Sequence, residues 1–157
     1  MIAVASIINK VKQYCTFQDR SHQEVKEKLY ALGLHKQQVE ELLAQLIEED
    51  YLNEERFATQ FARGKFRIKN WGRIKIKYEL KQKRVSIYNI NKAMEEIDET
   101  DYIKTLHKLA KKKWLLIKEG NLMMRKAKTV QYLLQKGYER FLAMQAVDVL
   151  ANETKEK

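Results

Sequence analysis

The chain has 157 residues, of which 45% are hydrophobic and 33% are charged, and its formal net charge is +10. This length fits one ordinary domain or a short array of smaller units. A single cysteine excludes an intrachain disulfide, and no apolar run approaches the roughly 18 residues of a membrane span. The first residues also lack the basic region of a signal peptide, so we expect a cytoplasmic protein.

Helical periodicity runs through the chain. Proline is absent and glycine occurs only five times, so helices can continue without interruption. Ser21 with Glu24 has the spacing of a capping box, and Asn53 and Ser86 are suitable N-caps. Three apolar faces with helical spacing follow in chain order: Val4, Ile7, Ile8, Val11 and Tyr14; Val39, Leu42, Leu43, Leu46 and Ile47; Tyr102, Leu106, Leu109, Ala110, Trp114 and Ile117. The pattern predicts an all-α protein.

One spacing of residues occurs three times. The three sets are Leu29, Gly33, Val39, Leu43 and Leu46; Leu80, Arg84, Ile90, Met94 and Ile97; and Leu133, Gly137, Ala143, Val147 and Leu150. An amphipathic segment precedes each set, which predicts three tandem three-helix, helix-turn-helix-like modules at residues 1–51, 52–98 and 99–152, with a tail at 153–157. Such an array is expected to be elongated and curved.

The segment Gly64–Arg84 contains nine basic residues and one acid. Its alternation of polar and apolar residues would suit a strand. However, the repeat aligns Ile76 with Val25 and therefore predicts the second helix of the middle module. Gly64 and the pair Trp71-Gly72 are expected to mark the break from the preceding helix.

Charge is unevenly distributed. Residues 1–60 contain seven basic and ten acidic residues, whereas residues 61–157 contain 24 basic and 11 acidic residues. A basic half indicates a polyanionic or acidic partner. The candidate binding residues are Lys65, Arg67, Lys69, Trp71, Arg73, Lys75, Lys77, Lys81, Lys83 and Arg84, with a second cluster at Lys111, Lys112, Lys113, Arg125, Lys126 and Lys128.

These basic residues have three interpretations: contact with DNA phosphates, contact with acidic residues of a protein, or a solvated basic face. Trp71 lies beside Gly72 in a basic loop and is a candidate for base stacking. Trp114 has a core-compatible helical position, so we expect it to be buried.

Several motifs resemble the RecX family of bacterial regulatory proteins. They are QDRSHQEV at Gln18–Val25 with Leu29 and Gly33, YLNEERFA at Tyr51–Ala58, and the pair Lys69-x-x-Gly72. The resemblance covers nearly the whole chain. This chain departs from it at Arg84-Val85, where the family usually has Gly-Ile, which brings the left-handed turn at that position into question.

The resemblance implies a non-catalytic regulator of recombination and DNA repair, including the SOS response. Its partners would be the RecA recombinase, as monomer and filament, and the single-stranded DNA within the filament, with inhibition of filament extension, ATP hydrolysis and strand exchange. A monomer without a cofactor is expected. The alternative is a helix-turn-helix protein that binds DNA without sequence preference and without a recombinase. An enzyme is disfavoured because the three histidines are dispersed and no Walker-type loop is present.

Overall fold

A computed structural model describes residues 4–156 of the chain, which form nine α-helices and no strand. The helices are α1 (Val4–Phe17), α2 (His22–Ala31), α3 (Lys36–Glu48), α4 (Glu54–Lys69), α5 (Arg73–Gln82), α6 (Ile87–Glu95), α7 (Glu99–Leu116), α8 (Leu122–Gln135) and α9 (Arg140–Glu156). The all-α prediction is confirmed. Within the described range, no helix has the combination of length and hydrophobicity that crossing a bilayer requires.

The three predicted N-caps all form. Each cap side chain accepts a hydrogen bond from the backbone N–H three residues later. The donor–acceptor distances are 3.0 Å at Ser21, 2.9 Å at Asn53 and 3.2 Å at Ser86. These bonds satisfy N–H groups that have no partner inside the helix, which explains why α2, α4 and α6 begin where they do.

The helices α2, α5 and α8 end in the same way, at equivalent positions of the repeat. A residue with positive φ follows each helix: Gly33 at +94°, Arg84 at +60° and Gly137 at +100°. The N–H of that residue bonds to the carbonyl three residues earlier, at 3.0, 2.9 and 3.0 Å respectively. The N–H of the next residue bonds to the carbonyl five residues earlier, at 3.3, 3.1 and 3.1 Å. This is the Schellman motif.

Arg84 therefore adopts the left-handed conformation even though it carries a side chain. The reason lies in the following residue, since Val85 is buried and its N–H bonds to the carbonyl of Leu80 at 3.1 Å. The burial of Val85 and the two closing hydrogen bonds offset the strain of a side chain in this conformation.

The expectation for Gly64 was wrong. α4 continues through Gly64 to Lys69, and the break comes at residues 70–72, where Asn70 has a φ of +58°. Ala62 and Phe66 are both buried on either side of Gly64, so packing maintains the helix across a residue of low helix propensity. The basic segment Gly64–Arg84 therefore contains the end of α4, a short loop, and α5.

The chain forms two compact units. Unit 1 comprises the residues up to Phe61 together with Glu79–Ala93. Its core contains Ile7, Val11, Cys15, Val25, Leu29, Leu34, Val39, Leu42, Leu43, Leu46 and Leu52. Arg56 donates to a carboxylate oxygen of Asp19 at 2.7 Å and of Asp50 at 3.2 Å, which ties the start of α4 to the segments before α2 and after α3.

Unit 2 comprises Ala62–Tyr78 together with the residues from Met94 onward. Its helices α7, α8 and α9 pack against one another. Phe66, Tyr102 and Tyr138 form a row of aromatic rings, with centroids 5.8 and 5.1 Å apart, and both tyrosines are fully buried. The module boundaries inferred from the repeat stay a prediction.

Candidate nucleic-acid interface

The two units differ in charge. Unit 1 contains 11 basic and 11 acidic residues, whereas unit 2 contains 20 basic and 10 acidic residues. The whole net charge of +10 therefore belongs to unit 2. A net charge of this size on one compact unit attracts polyanions over a distance of about one Debye length, roughly 8 Å at physiological salt.

The loop at residues 70–72 is fixed to the turn between α8 and α9. The N–H of Gly72 donates to the carbonyl of Lys136 at 2.8 Å, and the N–H of Ile74 donates to the carbonyl of Gly137 at 2.9 Å. The two backbones are so close that a Cβ at Gly72 would lie 2.3 Å from the carbonyl carbon of Gly137. Only glycine fits at this position, which gives the Gly of the Lys69-x-x-Gly72 motif a structural reason.

The same loop holds Trp71 among positive charges. The hydroxyl of Tyr138 donates to the carbonyl of Asn70 at 2.9 Å, and the N–H of Trp71 donates to the carbonyl of Lys65 at 3.1 Å. The ammonium groups of Lys65 and Lys75 lie 4.9 and 4.5 Å from the centre of the Trp71 ring. These cation–π contacts bring three of the predicted site residues together on a rigid loop.

Arg73 occupies a network inside unit 2. Its guanidinium lies 3.8 Å from the centre of the Tyr102 ring and forms ion pairs with Glu99 and, at 3.1 Å, with Glu139. The Tyr102 hydroxyl accepts from the N–H of Arg73 at 2.9 Å and donates to Glu139. Burial, reinforced by the hydrogen bond to Glu139, raises the pKa of Tyr102 well above its ordinary range. Arg73 therefore fixes the start of α5 against α7 and the start of α9.

Arg125 and Lys126 of the second cluster also have partners in the protein. Arg125 donates through Nε and Nη2 to the carbonyl of Trp114, at 3.1 and 2.9 Å, and lies 4.0 Å from the centre of its ring. Lys126 pairs with Asp148 at 3.0 Å. Trp114 is 2% exposed, which confirms the expectation of burial. Arg125 therefore supplies a hydrogen-bond donor pair to the end of α7, where backbone carbonyls lack helical partners.

Eight predicted site residues are exposed and form no ion pair with any described residue. Six belong to unit 2, namely Arg67, Lys69, Lys77, Lys111, Lys112 and Lys128, and two belong to unit 1, namely Lys81 and Arg84. Lys83, also in unit 1, lies 3.5 Å from Glu24. Among the predicted site residues, these six exposed cations of unit 2 are the side chains best placed to meet an anionic partner.

The sequence patterns did not single out Tyr132 and Lys118. Both line a groove in unit 2 together with Lys113 and Lys128 of the second cluster. The spacing of Lys128 and Tyr132 places them one turn apart on the same side of a helix, a signal that could have identified the tyrosine.

Two observations on the described residues concern metal binding and nucleophilic chemistry. These residues contain no group of three His, Cys, Asp or Glu side chains arranged to hold a metal ion. Cys15 is buried in the core of unit 1, and this burial raises the pKa of its thiol. Because the thiolate is the reactive form, a raised pKa makes Cys15 a poor nucleophile at neutral pH.

Comparison with known proteins shows which family this chain resembles. Residues 53–94 match the model for the second three-helix domain of RecX, and residues 99–147 match the model for the third. The regulatory protein RecX of Salmonella paratyphi C (strain RKS4594) is 31% identical over 146 residues, which cover 87% of this chain and 86% of the relative. The chain belongs to the RecX family. Its tandem three-helix organisation is that of RecX proteins.

Other RecX proteins agree with this assignment. The regulatory protein RecX of Prosthecochloris aestuarii is 29% identical over 143 residues, which cover 91% of this chain and 92% of the relative. That of Clostridium perfringens (strain 13 / Type A) is 32% identical over 122 residues, and the matched part spans 57% of the relative's length. The crystal structure of RecX from Lactobacillus salivarius has the same fold, with a TM-score of 0.84 over 93% of this chain and 95% of that chain, at 23% identity.

Proposed function

We propose that this RecX protein regulates the RecA recombinase by binding both the recombinase and its filament on single-stranded DNA. It acts by binding and catalyses no reaction of its own. Bound to the filament, it restrains filament extension and thereby lowers ATP hydrolysis and strand exchange. It does so in the cytoplasm, as a monomer and without a cofactor.

One observation supports the proposal independently of the family assignment. The entire net charge of +10 lies in unit 2, where six predicted site residues are exposed and form no ion pair with other described residues. Lysine and arginine side chains that are already neutralised gain little from a phosphate. Exposed, unpaired ones release counterions from DNA and so gain affinity without sequence preference.

The loop that carries Trp71 supports the same function. Its backbone is held by the turn between α8 and α9, and Lys65 and Lys75 lie over the indole ring. Because these groups are positioned before binding, little conformational entropy is lost when a phosphate or a base reaches them. The Trp71 ring orients the two ammonium groups, and the site could also stack a base if one lysine moved aside.

The test is ATP hydrolysis by the cognate recombinase on single-stranded DNA, with this protein titrated from far below the recombinase concentration. We expect suppression at a small fraction of the recombinase, because one bound molecule restrains many filament subunits. Suppression only when the protein is abundant enough to coat the DNA would favour the alternative, a DNA-binding protein that acts without a recombinase.

Two matched variants locate the interface. The triple substitution Arg67→Glu, Lys69→Glu and Lys77→Glu reverses three exposed charges of unit 2 and should raise the concentration needed for half suppression at least tenfold. The control reverses Lys10, Lys26 and Lys36, which are exposed in unit 1, and should change it less than twofold. Equal effects of the two triples would show that net charge alone matters and that unit 2 is not the interface.

A further inference from the structure

An open groove with a volume of about 590 Å³ is lined by residues of α7, of α8 and of the segment that joins these two helices. This volume is within the range of sites that bind small organic ligands. Side chains with polar atoms dominate its lining: Lys113, Lys118, Glu119, Lys128, Gln131, Tyr132 and Gln135. We call it the α7–α8 groove. All of these residues belong to unit 2.

The α7–α8 groove carries an excess of positive charge. Its three lysines face a single acid, Glu119, and none of the three forms an ion pair with a described residue. Lys118 and Lys128 are exposed. The three ammonium groups in this groove repel one another, and the concave surface focuses their electric field. A bound anion would therefore lower the repulsion among them.

Tyr132 contributes an aromatic surface to the same groove. Its side chain is half-buried, and the ammonium of Lys113 lies 5.1 Å from the centre of its ring. The amides of Gln131 and Gln135 can both donate and accept hydrogen bonds. The groove therefore combines cations, a ring face and adaptable hydrogen-bonding groups within one surface.

We infer that the α7–α8 groove binds a short segment of single-stranded nucleic acid, with a base stacked on Tyr132 and phosphates at Lys113, Lys118 and Lys128. Grooves that bind single strands without sequence preference combine these same elements, a positive track and a stacking ring. An acidic protein segment would satisfy the lysines but would make no use of the ring face. The inference rests on the proposed function in that the strand is the DNA of the filament.

The test uses the full chain and a fluorescently labelled oligothymidylate, without recombinase, followed by anisotropy at low salt. Tyr132→Leu removes the ring and should weaken binding roughly fivefold or more, whereas Tyr132→Phe should recover most of that loss. The pair Lys118→Gln and Lys128→Gln should weaken binding and make the slope of log affinity against log salt shallower by about 1.4, because two phosphate contacts are lost.

The matched control is the pair Lys104→Gln and Lys108→Gln, which removes two exposed lysines of α7 outside the groove and should leave the affinity within twofold. Far-UV circular dichroism and the thermal midpoint verify that each variant is folded. An unchanged affinity for the oligonucleotide in folded Tyr132→Leu overturns the inference. A parallel titration measures binding of the same variants to DNA-free recombinase. If only this binding is weakened, the groove is a protein-binding site and the inference is likewise overturned.

Failure of the inference and failure of the proposed function give different results. If the groove variants retain oligonucleotide affinity while the wild-type chain still suppresses ATP hydrolysis, only the groove assignment is wrong. If the wild-type chain binds the oligonucleotide through the groove but never suppresses ATP hydrolysis, the groove assignment holds and the regulatory function is wrong.

Discussion

Gly64 and Gly72 belong to the same basic segment but meet opposite constraints. A Cβ at Gly72 would lie 2.3 Å from the backbone of Gly137 and 2.5 Å from the backbone nitrogen of Tyr138, whereas a Cβ at Gly64 meets nothing within 4 Å. Gly64 lies inside α4, where alanine is a better helix former. Gly72 is therefore required by a close contact, whereas Gly64 lowers stability without any contact that requires it.

We expect Gly72→Ala to lower the free energy of unfolding by at least about 2 kcal/mol, because the loop and the turn must separate and lose two hydrogen bonds. Gly64→Ala should raise it by roughly 0.5–1 kcal/mol. Urea denaturation of the two variants and the wild type measures both changes. A Gly72→Ala variant as stable as wild type would mean that the contact with Gly137 is not tight in solution.

Sequence patterns predicted some of these residue environments and missed others. Trp114 has the helical spacing of a core residue, and it is buried. The position of Gly64 suggested a break because glycine is usually a helix breaker, but the buried residues beside it decide otherwise. Local propensity is a weak guide where packing on both sides favours the helix.

The helices α2, α5 and α8 each end in a Schellman motif, and α5 does so without glycine. Gly33, Arg84 and Gly137 occupy equivalent positions of the repeat with φ values of +94°, +60° and +100°. The left-handed conformation costs a residue with a side chain roughly 1–2 kcal/mol relative to glycine. The end of α5 therefore contains strain that the ends of α2 and α8 avoid.

We predict that Arg84→Gly stabilises the protein by about 0.5–1 kcal/mol, since the gain at Arg84 is reduced by the greater freedom of glycine in the unfolded chain. The converse change, Gly33→Ala, should destabilise it by about 1 kcal/mol, and no neighbouring atom within 4 Å complicates the comparison. Thermal melts report both. Arg84→Ala is the control for charge: if it stabilises as much as Arg84→Gly, repulsion between basic residues and not backbone strain is the cause.

At the level of elements, the repeat was the most informative pattern in the sequence. It aligned the basic segment with a helix when alternation alone suited a strand, and α5 confirms the helix at Arg73–Gln82. It also aligned Gly33, Arg84 and Gly137, which follow α2, α5 and α8 and all have positive φ. These features depend on residues a few positions apart, so they can be read from the chain directly.

On the scale of the whole molecule, charge separates unit 1, which is neutral overall, from unit 2, which carries +10. If the six exposed predicted site residues of unit 2 all neutralise phosphates, log affinity for single-stranded DNA should fall with log salt with a slope of about −4, at roughly −0.7 per phosphate. Anisotropy between low and physiological salt measures the slope. A slope near zero would contradict phosphate contact, and a slope unchanged by the Arg67, Lys69 and Lys77 triple variant would contradict its assignment to those residues.

Four features follow from the order of the amino acids alone: the helical class, the tandem repeat, the helix caps and the excess of positive charge. They are predictable because periodicity, capping and composition act over short stretches of chain. Which basic residues are already neutralised depends instead on how the chain folds. Arg73 meets Glu139, Lys126 meets Asp148, and the lysines around Tyr132 converge on one groove. Ion pairs and grooves join residues of different helices, so the distances within them depend on how those helices pack.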